Sequence, residues 1–273
     1  MVYSHSLAPT PYTTPQRCLD CTRTVHSLCT NLTEQEIAHI ARFSHRTHLP
    51  HGSLLIEEGS PAIASFTILS GTVRMFKSLA DGRRQIIGFI DAGQFLNGGV
   101  RCDEANNDNG TYTFGAETIN TVHFCRFQHN NFNPLLKDFP HLGRVLLTSL
   151  TAHITKAQEQ MLLLGRKTSR EKIASFLLHR LTLPLTEKNT TDSSASDSSF
   201  PLFLPMSRVD IADYLGLTVE TVSRTMSTFR REGIITSSGH HTLRVTNIAA
   251  LRALANGQKT SAETSQSAFK ANV

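Results

Sequence analysis

Apolar and polar residues change rhythm several times along the chain, and each change marks an element. Over residues 48–127 short apolar runs, LLIEE, SFTILS, TVRMFKS, RQIIGFI, TYTFGAET and TVHFCRF, are separated by Gly52, Gly59, Gly71, Asp81-Gly82 and Gly93. Strands punctuated about every 8–12 residues predict a compact β-barrel or roll. Beyond it the period lengthens. In residues 143–164 the apolar positions Leu147, Leu150, Ile154, Ala157, Met161 and Leu164 step by three and four, the seam of an amphipathic helix. Such a seam suits a two-stranded coiled coil and hence a homodimer; packing against the roll is the alternative. Shorter helices are predicted over 33–43, where Thr33 and Glu36 form a capping box, and over 170–181.

The stretches between carry little apolar surface. Residues 1–17 and 257–273 are polar and aperiodic, and 186–199 is rich in Ser, Asp and Thr, so flexible ends and a surface loop are expected. At 273 residues the chain exceeds the usual single-domain size. The expected class is α+β: a flexible cysteine-bearing segment (1–32), a sensory β-roll (33–142), a dimerisation helix (143–166), a winged helix-turn-helix (167–256) and a tail (257–273).

The last of these modules rests on residues 207–231, SRVDIADYLGLTVETVSRTMSTFRR, which have the spacing of a helix-turn-helix. Ser207 can cap a first helix, with Asp210 near its positive end; Gly216 ends it and Thr218 caps the second. Small Ala212 permits close approach, and Ile211, Leu215, Leu217 and Val222 are expected to wedge the two helices together. On the second helix Val219 and Val222 are expected to turn inward, leaving Thr218, Glu220, Thr221, Ser223 and Arg224 toward DNA. Arginine forks onto guanine O6 and N7, and glutamate accepts from cytosine N4, each good bidentate contact contributing about 1–3 kcal/mol of discrimination. Arg230 and Arg231 suit phosphate. An ordinary surface helix with Glu220 and Arg224 paired one turn apart is the competing reading. The tail weighs against it, because Ile234-Ile235-Thr236, a Ser-Ser-Gly turn and Thr242-Leu243-Arg244-Val245 read as a two-stranded wing.

Charge agrees with an anionic partner. The formal net charge is +5, and residues 166–252 hold 12 Lys and Arg against 8 Asp and Glu, so most of the excess lies beside the proposed DNA element. No eighteen-residue apolar run and no leader pattern is visible, so a cytoplasmic protein without membrane contact is expected. Nor is there a Ser-His-Asp set, a paired carboxylate motif or a phosphate loop, and no enzymatic activity is expected. His45, His48 and His51 step by three, but Pro50 and Gly52 break any helix, and a solvated connection is expected there.

The five cysteines are the remaining chemistry. Cys18, Cys21 and Cys29 form C-x2-C-x7-C ahead of the first helix, and Cys125 lies in the last strand of the roll. The short gap lets two thiolates turn toward one centre, the longer one lets a loop wrap it, and Cys125 would close the cage. A [4Fe–4S] cluster, a zinc site and ordinary thiols all remain open on spacing. Cys102, in a polar stretch, reads as a bystander.

The segment LGLTVETVSR with the wing behind it resembles the CRP/FNR superfamily of transcription regulators, and Glu220, Ser223 and Arg224 look like its FNR branch. The resemblance covers nearly all of residues 18–250; Thr225 departs from it, standing where a larger aliphatic residue is usual. It implies an eight-stranded roll like that of cyclic-nucleotide-binding domains, a dimer, and FnrN-type oxygen sensing by a [4Fe–4S] cluster on Cys18, Cys21, Cys29 and Cys125. It also implies double-stranded DNA carrying TTGAT and its inverted partner, and RNA polymerase touching the turn between Leu79 and Arg84. The phosphate-gripping Gly-Glu-Leu and Arg-Ser or Arg-Ala stretches of the cyclic-nucleotide binders are replaced by Gly93-Gln94-Phe95 and Arg101-Cys102, so cyclic AMP is not the expected effector. A cluster-free regulator of the same fold and an iron–sulfur redox enzyme are the rival readings.

Overall fold

Eight strands form two four-stranded sheets in the first half of the computed structural model, which describes Cys29 and residues 33–96, 110–182, 199–239 and 241–258. Cys18, Cys21, Cys102, most of the polar loop and nearly all of both end segments lie outside the described residues. The chain divides into two units, Met1–Ser78 with Phe89–Thr151, and Leu79–Gly88 with Ala152–Val273.

In the first unit α1 (Glu34–Ala41) starts at Thr33, whose side chain accepts from Glu36 N while the Glu36 carboxylate accepts from Thr33 N at 2.7 Å, the predicted capping box. The strands that follow are β1 (Ser44–Leu49), β2 (Leu54–Ile56), β3 (Ala64–Ser70), β4 (Thr72–Ser78), β5 (Arg84–Asp91, of which only the end from Phe89 falls in this unit), β6 (Phe95–Leu96), β7 (Gly115–Thr118) and β8 (Val122–Gln128). Their sheets run β1-β8-β3-β6 and β2-β7-β4-β5. Between them lies a core of Ile56, Phe66, Ile68, Val73, Ile90, Leu96, Val122 and Phe124, with Phe66 and Phe124 edge to face at 5.6 Å. Gly71 closes the β3–β4 turn at φ 88°, and a Cβ there would stand 2.5 Å from the Thr121 carbonyl oxygen, so only glycine fits.

Strand β8 alternates sides as a strand must. Val122 and Phe124 enter the roll, whereas Cys125 and Phe127 pack in a second core with Ile40, Phe95, Leu135, Leu142 and Leu146. That second core is closed by α1, by α2 (His129–Asp138) and by the start of α3 (Pro140–Arg166). Proline at the first position of α3 forfeits nothing, because that N–H has no helical acceptor. The helix therefore starts earlier than the seam predicts, and Leu142 and Leu146 anchor it to the roll.

Two sequence expectations are corrected here. His45 and His48 are not in a solvated connection but on β1, an edge strand paired antiparallel with β8 in the register Ser44↔Phe127, Arg46↔Cys125, His48↔His123. A strand with one open edge and one covered face tolerates such a polar sequence. Helix α2 is absent from the sequence reading because Pro134 sits inside it and Gln128 gives no side-chain cap; burial of Leu135 holds it instead.

The second unit collects α4 (Ser169–Thr182), β9 (Phe200–Phe203), α5 (Arg208–Leu215), α6 (Val219–Arg231), β10 (Ile235–Ser237), β11 (Thr242–Val245) and α7 (Ile248–Ala255). Ile173, Phe176 and Leu177 of α4, Ile211 and Leu215 of α5, Val222, Met226 and Phe229 of α6 and Leu251 of α7 are all buried. The expected two-stranded wing has a third strand, in the order β10-β11-β9. Among the described residues no helix is long and apolar enough to cross a membrane.

Candidate nucleic-acid interface

Local chemistry fixes both helices of the turn. Ser207 caps α5, its hydroxyl accepting from Asp210 N at 3.1 Å while the Asp210 carboxylate accepts from Ser207 N at 2.8 Å. At the other end Gly216 adopts the left-handed conformation (φ 59°, ψ 44°), Leu217 N donates to Ala212 O at 2.9 Å and Gly216 N to Asp213 O at 3.4 Å, a Schellman arrangement. The two carbonyls still open are taken by side chains from outside the helix. Gln160 of α3 donates to Tyr214 O at 2.7 Å, and the buried Lys172 of α4 donates to Leu215 O at 3.2 Å. A helix end with every carbonyl satisfied is fixed in place, and here the donors tie it to the long helix and to α4. Burial pushes the Tyr214 phenol up to about 12, which keeps it neutral against Phe176 at 5.7 Å.

Thr218 caps α6, accepting from Thr221 N at 3.1 Å, and its hydroxyl meets that of Thr221 at 2.8 Å. Val222, Thr225, Met226 and Phe229 face inward, so the short Thr225 fills a buried position. Val219 does not turn inward as expected: it is 41 % exposed, because the first residue of the helix lies beyond the edge of the inter-helix contact. Thr218, Glu220, Ser223 and Arg224 are exposed on one surface and Thr221 is half-buried beside them. Arg224 donates to Glu220 at 2.5 Å, side chains 78 % and 70 % exposed.

Positive charge gathers beside this surface. Arg230 and Arg231 close α6 and are exposed. Arg208, first in α5, is held below its ordinary range by burial and then by the Arg230 charge, a like-charge pairing that an approaching phosphate would relieve. The half-buried Arg170 grips Glu232 through two bonds of 3.0 and 2.9 Å and lies 5.3 Å over the Phe229 ring, fixing the end of the same helix. Sequence reasoning missed Arg208, Arg170, Gln160 and Lys172, whose roles depend on partners distant in the chain; β9 had a signal in the alternation of Phe200, Leu202 and Leu204.

Of the remaining sequence-predicted residues, Leu147, Ile154 and Met161 are 64, 60 and 65 % exposed on α3, with Ala157 and Leu164 exposed and Leu150 half-buried. The turn between Leu79 and Arg84 is an exposed hairpin tip closed by Leu79 N donating to Arg83 O at 2.8 Å. Cys125 is buried and Cys29 is half-buried. Among the described residues, which include neither Cys18 nor Cys21, no group of three His, Cys, Asp or Glu is gathered for a metal.

Comparison with known proteins supplies the rest. Residues 46–139 match a cyclic nucleotide-binding domain and residues 171–254 a Crp-like helix-turn-helix domain. The chain is 35 % identical over 218 residues to the nitrogen fixation regulation protein FixK of Bradyrhizobium diazoefficiens, covering 80 % of this chain and 85 % of that one. It is 30 % identical over 237 residues to the transcriptional activator protein FnrL of Cereibacter sphaeroides, covering 86 % and 90 %. The structure of FixK2 from Bradyrhizobium japonicum superposes with a TM-score of 0.66 at 28 % identity, covering 80 % of this chain and 98 % of that one. These are regulators and not enzymes. With both modules matched in order and four-fifths of its length aligned to such proteins, the chain belongs to the CRP/FNR family of DNA-binding transcription regulators.

Proposed function

We propose that the chain is a cytoplasmic, oxygen-responsive transcriptional activator. As a homodimer it binds an inverted TTGAT-type DNA site while a [4Fe–4S] cluster on Cys18, Cys21, Cys29 and Cys125 is intact. The DNA half is supported by the exposed Glu220, Ser223 and Arg224 on a helix capped at Thr218, and by relatives named as transcriptional activators. The dimer is supported by Leu147, Ile154 and Met161, an exposed apolar line with a seven-residue repeat. RNA polymerase meets the hairpin tip around Leu79 in this reading. Cyclic nucleotide is not the effector; of the stretch that argues against it, residues 97–109 lie outside the described residues.

The oxygen-sensing half is carried by one observation, the position of Cys125. Its thiol lies in an apolar core with Ile40 of α1 and Leu142 and Leu146 of α3, so it is shielded from water and adjoins both the first helix and the long one. Cys29 precedes the Thr33 cap of α1 by four residues, and α1 packs its Ile40 into the core that holds Cys125. Thiolates in apolar surroundings fit an iron–sulfur centre. Bound there, the cluster supplies an oxygen-labile link between the leading segment and β8. Ile40, Leu142 and Leu146 then relay its presence to the first turns of α3. Coupling of this kind is typically about 1–3 kcal/mol, or about 5- to 150-fold in DNA affinity.

The test is anaerobic isolation followed by admission of air. The expected protein is coloured, holds about four irons per chain, and loses both its absorption and its DNA affinity in air, while Cys29→Ala holds no iron and stays folded. An iron-free anaerobic protein whose DNA affinity ignores air would instead make it a cluster-free regulator of the same fold.

A further inference from the structure

Spacing alone leaves His45, His48 and His51 without a partner, but the fold gives one of them a counterpart 75 positions downstream. His48 of β1 and His123 of β8 are directly opposite across the antiparallel pair, both exposed, with ring centroids 5.4 Å apart and planes at 30°. We propose that His48 and His123 form a two-imidazole surface site for a borderline divalent cation such as Ni2+, Zn2+ or Cu2+.

The separation decides the matter of reach. A cation held by imidazole nitrogen at about 2.1 Å stands about 3.2 Å from the ring centroid, so two rings on one cation at a near-tetrahedral angle need centroids about 5.3 Å apart. The paired rings already stand at that separation, and with His123 held in place only rotation of the His48 ring about χ2, a broad torsion for histidine, is needed to converge the nitrogens. His123 is also prepared for one role. Its Nδ1 is engaged by the Ser70 hydroxyl at 3.0 Å, which orients the ring and leaves Nε2 outward, as an outer partner does for a ligating histidine. The His48 ring has no hydrogen-bond partner among the described residues. Imidazole donors suit nickel, copper and zinc over magnesium or calcium. With no third protein ligand gathered among the described residues, water fills the remaining positions.

The site is distinct from the proposed cysteine centre. His123 and Cys125 share a face of β8, but Cys125 is covered by the helices and His123 is not. A cation bridging the two rings would staple the edge strand β1 to its neighbour.

Calorimetric titration of the anaerobically isolated full-length chain with Ni2+ tests the proposal, with iron content and thermal midpoint recorded for every variant. His48→Asn and His123→Asn are each expected to weaken the tightest Ni2+ site about tenfold or more, with Ser70→Ala weakening it less. Iron content and the metal-free midpoint are expected to stay at parental values, which separates loss of a ligand from loss of fold or of the cysteine centre. Equal Ni2+ affinity in the parent and both histidine variants would overturn the site, as would a parent that binds Ni2+ no better than millimolar.

Discussion

Arg224 is occupied before DNA arrives. Its bond to Glu220 joins two exposed side chains one helical turn apart, a pairing that stabilises a helix by about 0.2–0.5 kcal/mol. A good bidentate contact to guanine contributes about 1–3 kcal/mol, so the exchange favours the base by a margin that the intrahelical pair cannot offset. Arg224→Ala is expected to lose about 1–3 kcal/mol on the matched duplex and to bind matched and guanine-substituted sites alike, as read by fluorescence anisotropy. A parent protein that already bound both duplexes equally would defeat the assignment. The cap at Thr218 and the exposure of Glu220, Ser223 and Arg224 were readable in the sequence because both are set within a few positions of one another. Val219 was not: whether a first-turn valine is covered depends on where the neighbouring helix ends, which no local pattern states. His48 shows the same limit more sharply, since its meaning comes from a residue on another strand.

At the scale of elements, the C-terminus of α5 is the joint that matters. Its last carbonyls are satisfied by Gly216 and Leu217 from the turn, by Gln160 from α3 and by Lys172 from α4. Lys172 also brings a cation to the negative end of the helix dipole. Lys172→Met keeps the aliphatic stem but leaves a carbonyl open; the expected cost is about 1–3 kcal/mol of stability, measured by urea unfolding, with sequence discrimination on DNA retained. Unchanged stability would mean that water satisfies Leu215 O as well as the lysine does. The sequence announced α5 and α6 through Ser207, Gly216 and Thr218, and the roll through its glycine-punctuated runs. It did not announce β1 or α2, because the polar β1 is held by pairing with β8 and the proline-bearing α2 by burial of Leu135. Tertiary contact overrode local preference in both.

For the whole molecule the question is what covers α3. Its buried residues Leu142 and Leu146 belong to the second core, beside the roll, and Leu163 is buried as well, yet Leu147, Ile154 and Met161 remain exposed in line. Burying an apolar side chain of this size contributes about 1.5–3 kcal/mol, so a line of them left in water is costly unless a second copy covers it. The three-four stepping was readable in the sequence; which of its leucines the roll would take was not, since that is decided by where the helix starts. A dimer has a further consequence, because twofold symmetry presents two copies of α6 to successive half-sites about one helical turn apart. Ile154→Arg sets two like charges against each other across that axis while disturbing nothing inside one chain, since the side chain is exposed. The expected outcome is a monomer by sedimentation, with an unchanged circular dichroism spectrum and loss of tight binding to the inverted site. If the variant still sediments as a dimer, the seam on α3 is not the interface, and the two readers must be held together by another surface.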